Sequence, residues 1–224
     1  MSTLELVEIS KEFPTRGEPL QVLGGINLQV AQGDNLAIVG PSGCGKSTLL
    51  HILGTLDAPT SGSMRLGEVD PFELDEQALA RFRNQNIGFI FQDHHLLPQL
   101  SVLENVLIPA IAEGRPDQDC VQRAHELIER VGLADRIEHR PAELSGGERE
   151  RVAVARSLIH QPTLLLADEP TGNLDQTNAR QIGDLLLEIQ RQEKMMLIVV
   201  THSMELAGKI DRQMRLDDGK LVDP

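Results

Sequence analysis

The chain of 224 residues has no tryptophan or tyrosine and only five phenylalanines. Its core must therefore be built from aliphatic side chains, within a composition that is 40% hydrophobic and ordinary for a globular protein. Two cysteines occur, Cys44 and Cys120, and neither lies in a zinc-type spacing. A disulfide framework is thus excluded, and this cysteine usage predicts a reduced, intracellular compartment.

Long apolar segments and an excess of positive charge are also missing. The apolar run at 195–200 is far shorter than the roughly 20 residues that a membrane-spanning helix needs. The N-terminal stretch 1–13 alternates and carries acidic residues, unlike a secretory signal. A formal net charge of −13 argues against nonspecific nucleic-acid binding and against docking on anionic lipid. We expect no nucleic-acid partner and no direct membrane insertion, so a membrane role would pass through a partner protein.

Hydrophobic periodicity predicts an α/β protein. The stretches 4–9 and 26–30 alternate and predict an antiparallel sheet near the N-terminus. Short apolar runs, typical of a buried parallel sheet, occur at 36–39, 163–167 and 195–200. A further strand at 87–92, helices at 46–56, 75–84 and 179–194, and a closing hairpin at 214–222 are also predicted. Residues 93–158 are predicted to be largely helical, so we expect a mixed-sheet core with a helical insertion.

A phosphate-binding loop is the first motif with chemical content. The pattern G-x-x-x-x-G-K-[ST] is met by Gly40, Pro41, Ser42, Gly43, Cys44, Gly45, Lys46 and Ser47, with Thr48 next. The glycines let backbone N–H groups face the phosphates, Lys46 reaches the β and γ phosphates, and the Ser47 hydroxyl can bind Mg²⁺. Cys44 is either a small residue tolerated in the loop or an oxidation-sensitive thiol. The predicted strand before the loop and helix after it support nucleotide binding.

The polar residues that end the predicted strands complete this site. Asp168 and Glu169 follow an apolar strand, so we expect Asp168 to hold Mg²⁺ through water and Glu169 to act as general base. Gln92 also ends a strand and is a candidate sensor of Mg²⁺ and the γ-phosphate. His202 follows the run at 197–200, at the end of the sheet where α/β sites gather, and is expected to position the water or the γ-phosphate.

The segment Leu144–Glu148 has the pattern S-x-x-E before an apolar-periodic run, which predicts a capping box at a helix start. Such a start, with Gly146 and Gly147 in it, also presents bare N–H groups to an anion. Asp175 is either a plain turn residue or a residue that acts across an interface. The adjacent pair His94-His95 lacks a third ligand, so it is not expected to bind a metal.

The order of these motifs resembles, across essentially the whole chain, the ATP-binding cassette ATPases of ABC transporters. The resemblance implies a P-loop NTPase (RecA-like) core, and a head-to-tail homodimer with two ATP molecules at its interface. It assigns Ser145, Gly146, Gly147 and Glu148 to the ATP held by the partner subunit, and Phe13 to stacking on adenine, where the family more often has tyrosine. Glu150 stands where glutamine is usual, and we interpret it as a tolerated surface change.

The resemblance implies one domain over 1–224. The nucleotide-binding core and β-subdomain would occupy about 1–92 and 159–224. A helical subdomain carrying the family's signature motif, here Leu144–Glu148, would occupy about 93–158. Stretches such as 83–98, 104–106, 139–141 and 167–175 resemble more narrowly the cassettes of lipoprotein release, macrolide export and cell division.

The predicted function is the ATP-hydrolysing subunit that drives a separate membrane permease from the cytoplasmic face of the inner or plasma membrane. Three alternatives stay open: a cell-division ATPase, a soluble cassette ATPase acting on DNA or ribosomes, and a regulatory module that binds ATP without hydrolysis. The cofactors implied are ATP and Mg²⁺.

Overall fold

The computed structural model describes residues 2–223. Its strands are β1 (Thr3–Phe13), β2 (Leu20–Ala31), β3 (Asn35–Val39), β4 (Ser61–Leu66), β5 (Ile87–Ile90), β6 (Leu164–Asp168), β7 (Met196–Val200), β8 (Arg212–Asp217) and β9 (Lys220–Val222). Its α-helices are α1 (Lys46–Leu53), α2 (Glu76–Asn86), α3 (Val102–Ile111), α4 (Gln118–Arg130), α5 (Gly146–Ser157), α6 (Gln176–Glu193) and α7 (Met204–Ala207). Within 2–223, no helix combines the length and apolarity needed to cross a membrane.

Two sheets form, as predicted. One is antiparallel with the order β2-β1-β4, and the other has the order β5-β6-β7-β3-β8-β9. In the second sheet β5, β6, β7, β3 and β8 are parallel, while β9 pairs antiparallel with β8 as the predicted closing hairpin. The predicted α/β class with a mixed sheet, an N-terminal antiparallel sheet and intervening helices is confirmed.

The central parallel strands are buried on both faces, which explains their uninterrupted apolar sequence. Leu164 and Leu166 of β6 pack into a cluster shared with α1 and the antiparallel sheet. Their neighbours Leu165 and Ala167 point to the opposite face, into a cluster with the helices α3 to α6. Because side chains alternate along a strand, one short run connects the two hydrophobic clusters.

The boundaries of several elements differ from the predicted ones for local reasons. The predicted helix 46–56 ends at Leu53, because Gly54 closes it and Thr55 has a left-handed φ of 54°. The helix predicted from residue 179 begins at Gln176, because the Asp175 side chain accepts hydrogen bonds from the N–H groups of Thr177 and Asn178. The strand predicted over 87–92 ends at Ile90. Gln92 therefore lies in a loop just after β5.

Candidate functional site

The phosphate loop, β6 and β7 enclose one polar cleft. It has a volume of about 380 Å³ and is lined by Val22, Ser42, Gly43, Gly45, Lys46, Ser47, Thr48, Gln92, Asp168, Glu169 and Val200. Parallel strands present their carboxyl ends at the same edge, so the loop after β3 and the residues ending β6 and β7 meet there. Residues that are far apart in sequence are thereby brought to one site of phosphate chemistry.

The phosphate loop folds back on itself around Lys46. The Lys46 ammonium Nζ donates to the carbonyl oxygens of Gly40 at 2.9 Å and Pro41 at 2.8 Å. Gly45, which precedes α1, has a φ of 101°, a conformation that favours glycine. The backbone N–H of Cys44 donates to the Pro41 carbonyl at 3.4 Å, and Cys44 itself is half-buried. The positive end of α1 and the lysine thus face the cleft together.

Asp168 and Ser47 line the same cleft. Burial raises the pKa of the Asp168 carboxyl, while the Ser47 side chain opposes that change. A hydroxyl and a carboxylate oxygen side by side are the ligands that Mg²⁺ prefers. The two residues therefore fit a magnesium site, with the side chain of Gln92 lining the same cleft.

Glu169 is held by three contacts at the end of β6. Its Oε1 lies 2.8 Å from Nδ1 of His202, and its Oε2 accepts hydrogen bonds of 3.1 Å from the Thr201 hydroxyl and the His202 N–H. Its backbone has a left-handed φ of 48°, while its N–H donates to the Val200 carbonyl. Such strain at a non-glycine residue is typical of functional sites. The carboxylate is thus pre-oriented where a general base would act.

The predicted capping box at the start of α5 is confirmed. The N–H of Glu148 donates to Ser145 Oγ at 3.2 Å, and the N–H of Ser145 donates to a Glu148 carboxylate oxygen at 2.8 Å. These bonds hold the pKa of Glu148 below its usual range. A Cβ on Gly147 would lie 2.8 Å from the Asn178 side chain, so close packing requires glycine there. The residues 145–147 do not line the cleft of their own subunit.

The remaining predicted site residues lie outside the cleft lining. Asp175 caps α6, and its hydrogen bonds to Asn178 lower its pKa. Phe13 ends β1, with the Lys11 ammonium 5.0 Å from its ring centroid, so adenine stacking stays a prediction. His202 contacts the cleft only through Glu169, and its side chain is 70% exposed.

Sequence reasoning missed several residues that support the site. Thr201 is fully buried and bonds Glu169, and the only signal for it was its position after an apolar strand. Asn173 donates through Nδ2 to the Gln92 carbonyl at 3.2 Å and so ties two loops together. Val22 reaches the cleft from the antiparallel sheet, which no local pattern indicated.

The interpretation of Glu150 as a surface change was wrong. The residue is 1% exposed, because the loop after β5 packs over α5 at this point. Its Oε2 lies 3.4 Å from Nδ1 of His94, and its Oε1 has no hydrogen-bond partner in the part of the chain that the structure describes. Burial raises the pKa of Glu150 to about 8, against the opposing effect of Arg156.

The fold and the cleft together define a phosphate-loop nucleoside triphosphatase. A lysine in a glycine-rich loop, a Ser–Asp oxygen pair and an oriented carboxylate converge on one side of a parallel sheet. The family model described as ABC transporter matches residues 23–172. This chain therefore belongs to the ABC transporter family, in the ATP-binding, ATP-hydrolysing subunit class.

Individual relatives agree. The chain is 59% identical over 219 residues to the lipoprotein-releasing system ATP-binding protein LolD 1 of Rhodopirellula baltica, covering 98% of this chain and 96% of that protein. It is 51% identical to the LolD protein of Geobacter metallireducens, covering 99% and 98%. A solved dimeric cassette, MJ0796, bound to ADP and Pi, is 36% identical with a TM-score of 0.88, covering 97% and 96%.

Proposed function

We propose that this chain is the ATP-hydrolysing subunit of a lipoprotein-releasing transporter, working as a head-to-tail homodimer on the cytoplasmic face of a membrane. The observation that carries the dimer is that the signature residues 145–147 lie outside the cleft of their own subunit, although they begin a helix suited to an anion. Relatives named for lipoprotein release, one of them 59% identical, support the transport process. The solved cassette dimer supports the assembly.

In the proposed reaction, ATP lies between one subunit's phosphate loop and the other subunit's Ser145. Lys46 and the loop N–H groups bind the β and γ phosphates. Ser47, Asp168 and Gln92 would hold Mg²⁺, which would neutralise charge on the phosphates when bound.

Hydrolysis requires a positioned water. Glu169 accepts a proton from the attacking water. The water oxygen bonds to the γ-phosphorus as the bond between that phosphorus and ADP breaks. His202 and Thr201 hold the Glu169 carboxylate in place, through the contacts of 2.8 Å and 3.1 Å. Release of phosphate removes the charge that joined the subunits, and the dimer reopens.

The permease would dock in a groove beside α2 and α3. An apolar part of about 300 Å³ includes Phe89, Phe91 and Ile108, and it adjoins a polar part of about 790 Å³ that includes Arg81. The two parts are continuous because both are lined by Asn84, Ile87 and Ala112. Phe91 precedes Gln92 directly, so a permease segment seated here would contact the loop that senses the γ-phosphate.

A charge placed in the groove tests the transporter assignment. Ala112 is exposed and lines both parts, so Ala112→Arg should block docking without disturbing the core. We expect this variant to hydrolyse ATP alone at the normal rate but to lose co-purification with lipoprotein-releasing permease subunits of the same genome. Ala31→Arg, an exposed alanine at the end of β2, is the matched control. Wild-type protein that neither hydrolyses ATP nor binds that permease would overturn the proposal.

The in-trans role of the signature has its own test. In a Glu169→Gln background, where ATP is bound but not cleaved, we expect ATP to produce a stable dimer measurable by light scattering. Ser145→Arg should abolish this dimer, because its side chain fills the space of the partner's phosphate, while a fluorescent ATP analogue still binds the monomer. Loss of monomer binding would instead place Ser145 in its own subunit's site.

A further inference from the structure

Two parts of the proposed ATP site meet at a buried junction outside the cleft. On one side is the loop after β5, which contains Gln92, and on the other is the first half of α5, which begins with the signature. His94 and Glu150 lie between them, 8% and 1% exposed. Neither residue has a role in the reaction described above.

His94 contacts both parts through its ring. Its Nδ1 lies 3.2 Å from the Gln92 carbonyl oxygen and 3.4 Å from Glu150 Oε2. The backbone of Gly146, in the signature itself, opposes the lowering of the His94 pKa by burial. Gly146 and Glu150 are four residues apart and so share one face of α5. One imidazole therefore lies between the Gln92 backbone and the first turns of the signature helix.

A second side chain of α5 fixes the same turn. The Arg156 guanidinium donates from Nη1 to the His95 carbonyl at 2.7 Å and from Nη2 to the His94 carbonyl at 2.5 Å. Both histidines have left-handed backbones, with φ of 60° and 48°. Such conformations persist only where surrounding contacts hold them. The junction is therefore a defined conformation rather than a loose loop.

Stability alone does not account for a carboxyl group at this position. Among residues 2–223, Glu150 Oε1 is buried without a hydrogen-bond partner, an arrangement that costs free energy. Replacing a buried ionisable group by an apolar one of similar volume is often neutral or stabilising. Because Nδ1 of His94 faces the Gln92 carbonyl, Nδ1 carries the ring proton, and Glu150 Oε2 is its second acceptor.

We propose that Glu150 and His94 are positioning residues that bind the Gln92 loop to the signature helix, so that Gln92 and Ser145 move together. The inference rests on the proposed head-to-tail dimer. There, Gln92 contacts the ATP of its own subunit and Ser145 contacts the ATP of the partner. The junction thus links the two sites, and ATP bound at one favours closure at the other.

The test compares Glu150→Leu, Glu150→Gln and the wild type in steady-state ATP hydrolysis. Leucine keeps the volume but removes the polar contact with the His94 ring, whereas the glutamine amide oxygen can still accept from Nδ1. We expect Glu150→Leu to fold at least as stably as the wild type at neutral pH, but to lose about tenfold in kcat, the effect of one hydrogen bond. Its Hill coefficient for ATP should fall towards about 1, the value for independent sites. Glu150→Gln should restore both quantities.

A double-mutant cycle tests whether the two residues act as a pair. Asparagine tolerates left-handed backbone, so His94→Asn removes the ring with little strain. The double variant should be no slower than the slower single variant, because contacting residues are not additive. Glu129→Leu, on the exposed face of α4, is the control and should match the wild type. Undiminished cooperativity in Glu150→Leu, or additive effects in the double variant, would overturn the pairing.

Dimerisation separates this inference from the proposed function. In the Glu169→Gln background, the ATP dependence of dimer formation should be steep and should become shallow with Glu150→Leu. If the wild-type chain showed no ATPase activity, the proposed function would be wrong. Dimer formation would still test the junction. An equally steep dependence with and without Glu150→Leu, or no ATP-driven dimer at all, would overturn the inference.

Discussion

Two glutamate–histidine contacts in this chain place the same residue types in opposite surroundings. Glu169 and His202 lie at the ends of β6 and β7, 2.8 Å apart, with the histidine side chain 70% exposed. Glu150 and His94 lie between α5 and the loop after β5, 3.4 Å apart, with side chains only 2% and 11% exposed. Each oxygen of the Glu169 carboxylate has a polar partner, whereas one oxygen of Glu150 has none within residues 2–223.

The difference shows how surroundings assign chemistry to identical groups. Three contacts keep Glu169 oriented beside the phosphate loop, where it can accept a proton. Burial raises the pKa of Glu150 to about 8, so at neutral pH it holds a proton and does not act as a general base. The same glutamate-to-glutamine change should therefore reduce ATP turnover strongly at Glu169 and leave it near the wild-type rate at Glu150.

The largest expected effect is on turnover. Glu169→Gln keeps the shape of the side chain but cannot accept the proton of water, so we expect ATP turnover to fall by about 10²–10⁴-fold while ATP binding persists. Phosphate release and binding of a fluorescent ATP analogue measure the two quantities. Glu150→Gln, measured beside it, should turn over near the wild-type rate.

Glu205→Gln is the control for this experiment, because it alters an exposed carboxylate on α7 that pairs only with Arg180. It should leave turnover unchanged. If the Glu169→Gln variant hydrolysed ATP at the normal rate, Glu169 would not be the general base, and the two glutamates would not differ in catalytic role.

The second prediction concerns the pH dependence of stability. Because folding raises the pKa of Glu150 from 4.5 to about 8, its contribution to stability is fully present below pH 4.5 and is lost as the pH rises towards 8. Glu150→Gln removes this loss. We expect the free energy of unfolding of this variant to gain on the wild type by up to about 1.4 kcal/mol per pH unit in that window.

Urea denaturation at several pH values within the window measures this difference. Arg156 lies near enough to oppose the effect of burial, so its charge limits how far above pH 4.5 the window extends. The control Glu129→Gln changes an exposed carboxylate of α4 and should track the wild type at every pH. A constant difference between Glu150→Gln and the wild type would mean that Glu150 is ionised throughout the window.

The sequence predicted the position of Glu169 and His202 far better than the contact between Glu150 and His94. Glu169 follows an apolar strand in a chain with a phosphate loop, and the carboxyl ends of parallel strands meet at one edge. The capping box of Ser145 and Glu148 was also readable, because its bonds span only three residues. Such short-range or topological signals survive in a single sequence.

Glu150 carries no comparable signal. It stands between Arg149 and Arg151, a charged context that predicts a solvent-exposed helix face. Its burial results from the loop after β5, where His94 and His95 adopt left-handed backbone. A tertiary contact between segments more than 50 residues apart decided the environment, and local pattern could not anticipate it.

The smallest expected effect concerns the Thr201 hydroxyl, which helps to orient the Glu169 carboxylate and has no counterpart at Glu150. The Thr201 hydroxyl donates to Glu169 Oε2 at 3.1 Å and accepts from the Ser203 N–H at 3.0 Å. Thr201→Val keeps the shape but removes both bonds, so we expect a loss of about 1 kcal/mol in the free energy of unfolding and a roughly fivefold fall in kcat. Thr201→Ser keeps the hydroxyl and should restore turnover. Unchanged kcat in the valine variant would show that His202 alone suffices to orient the Glu169 carboxylate.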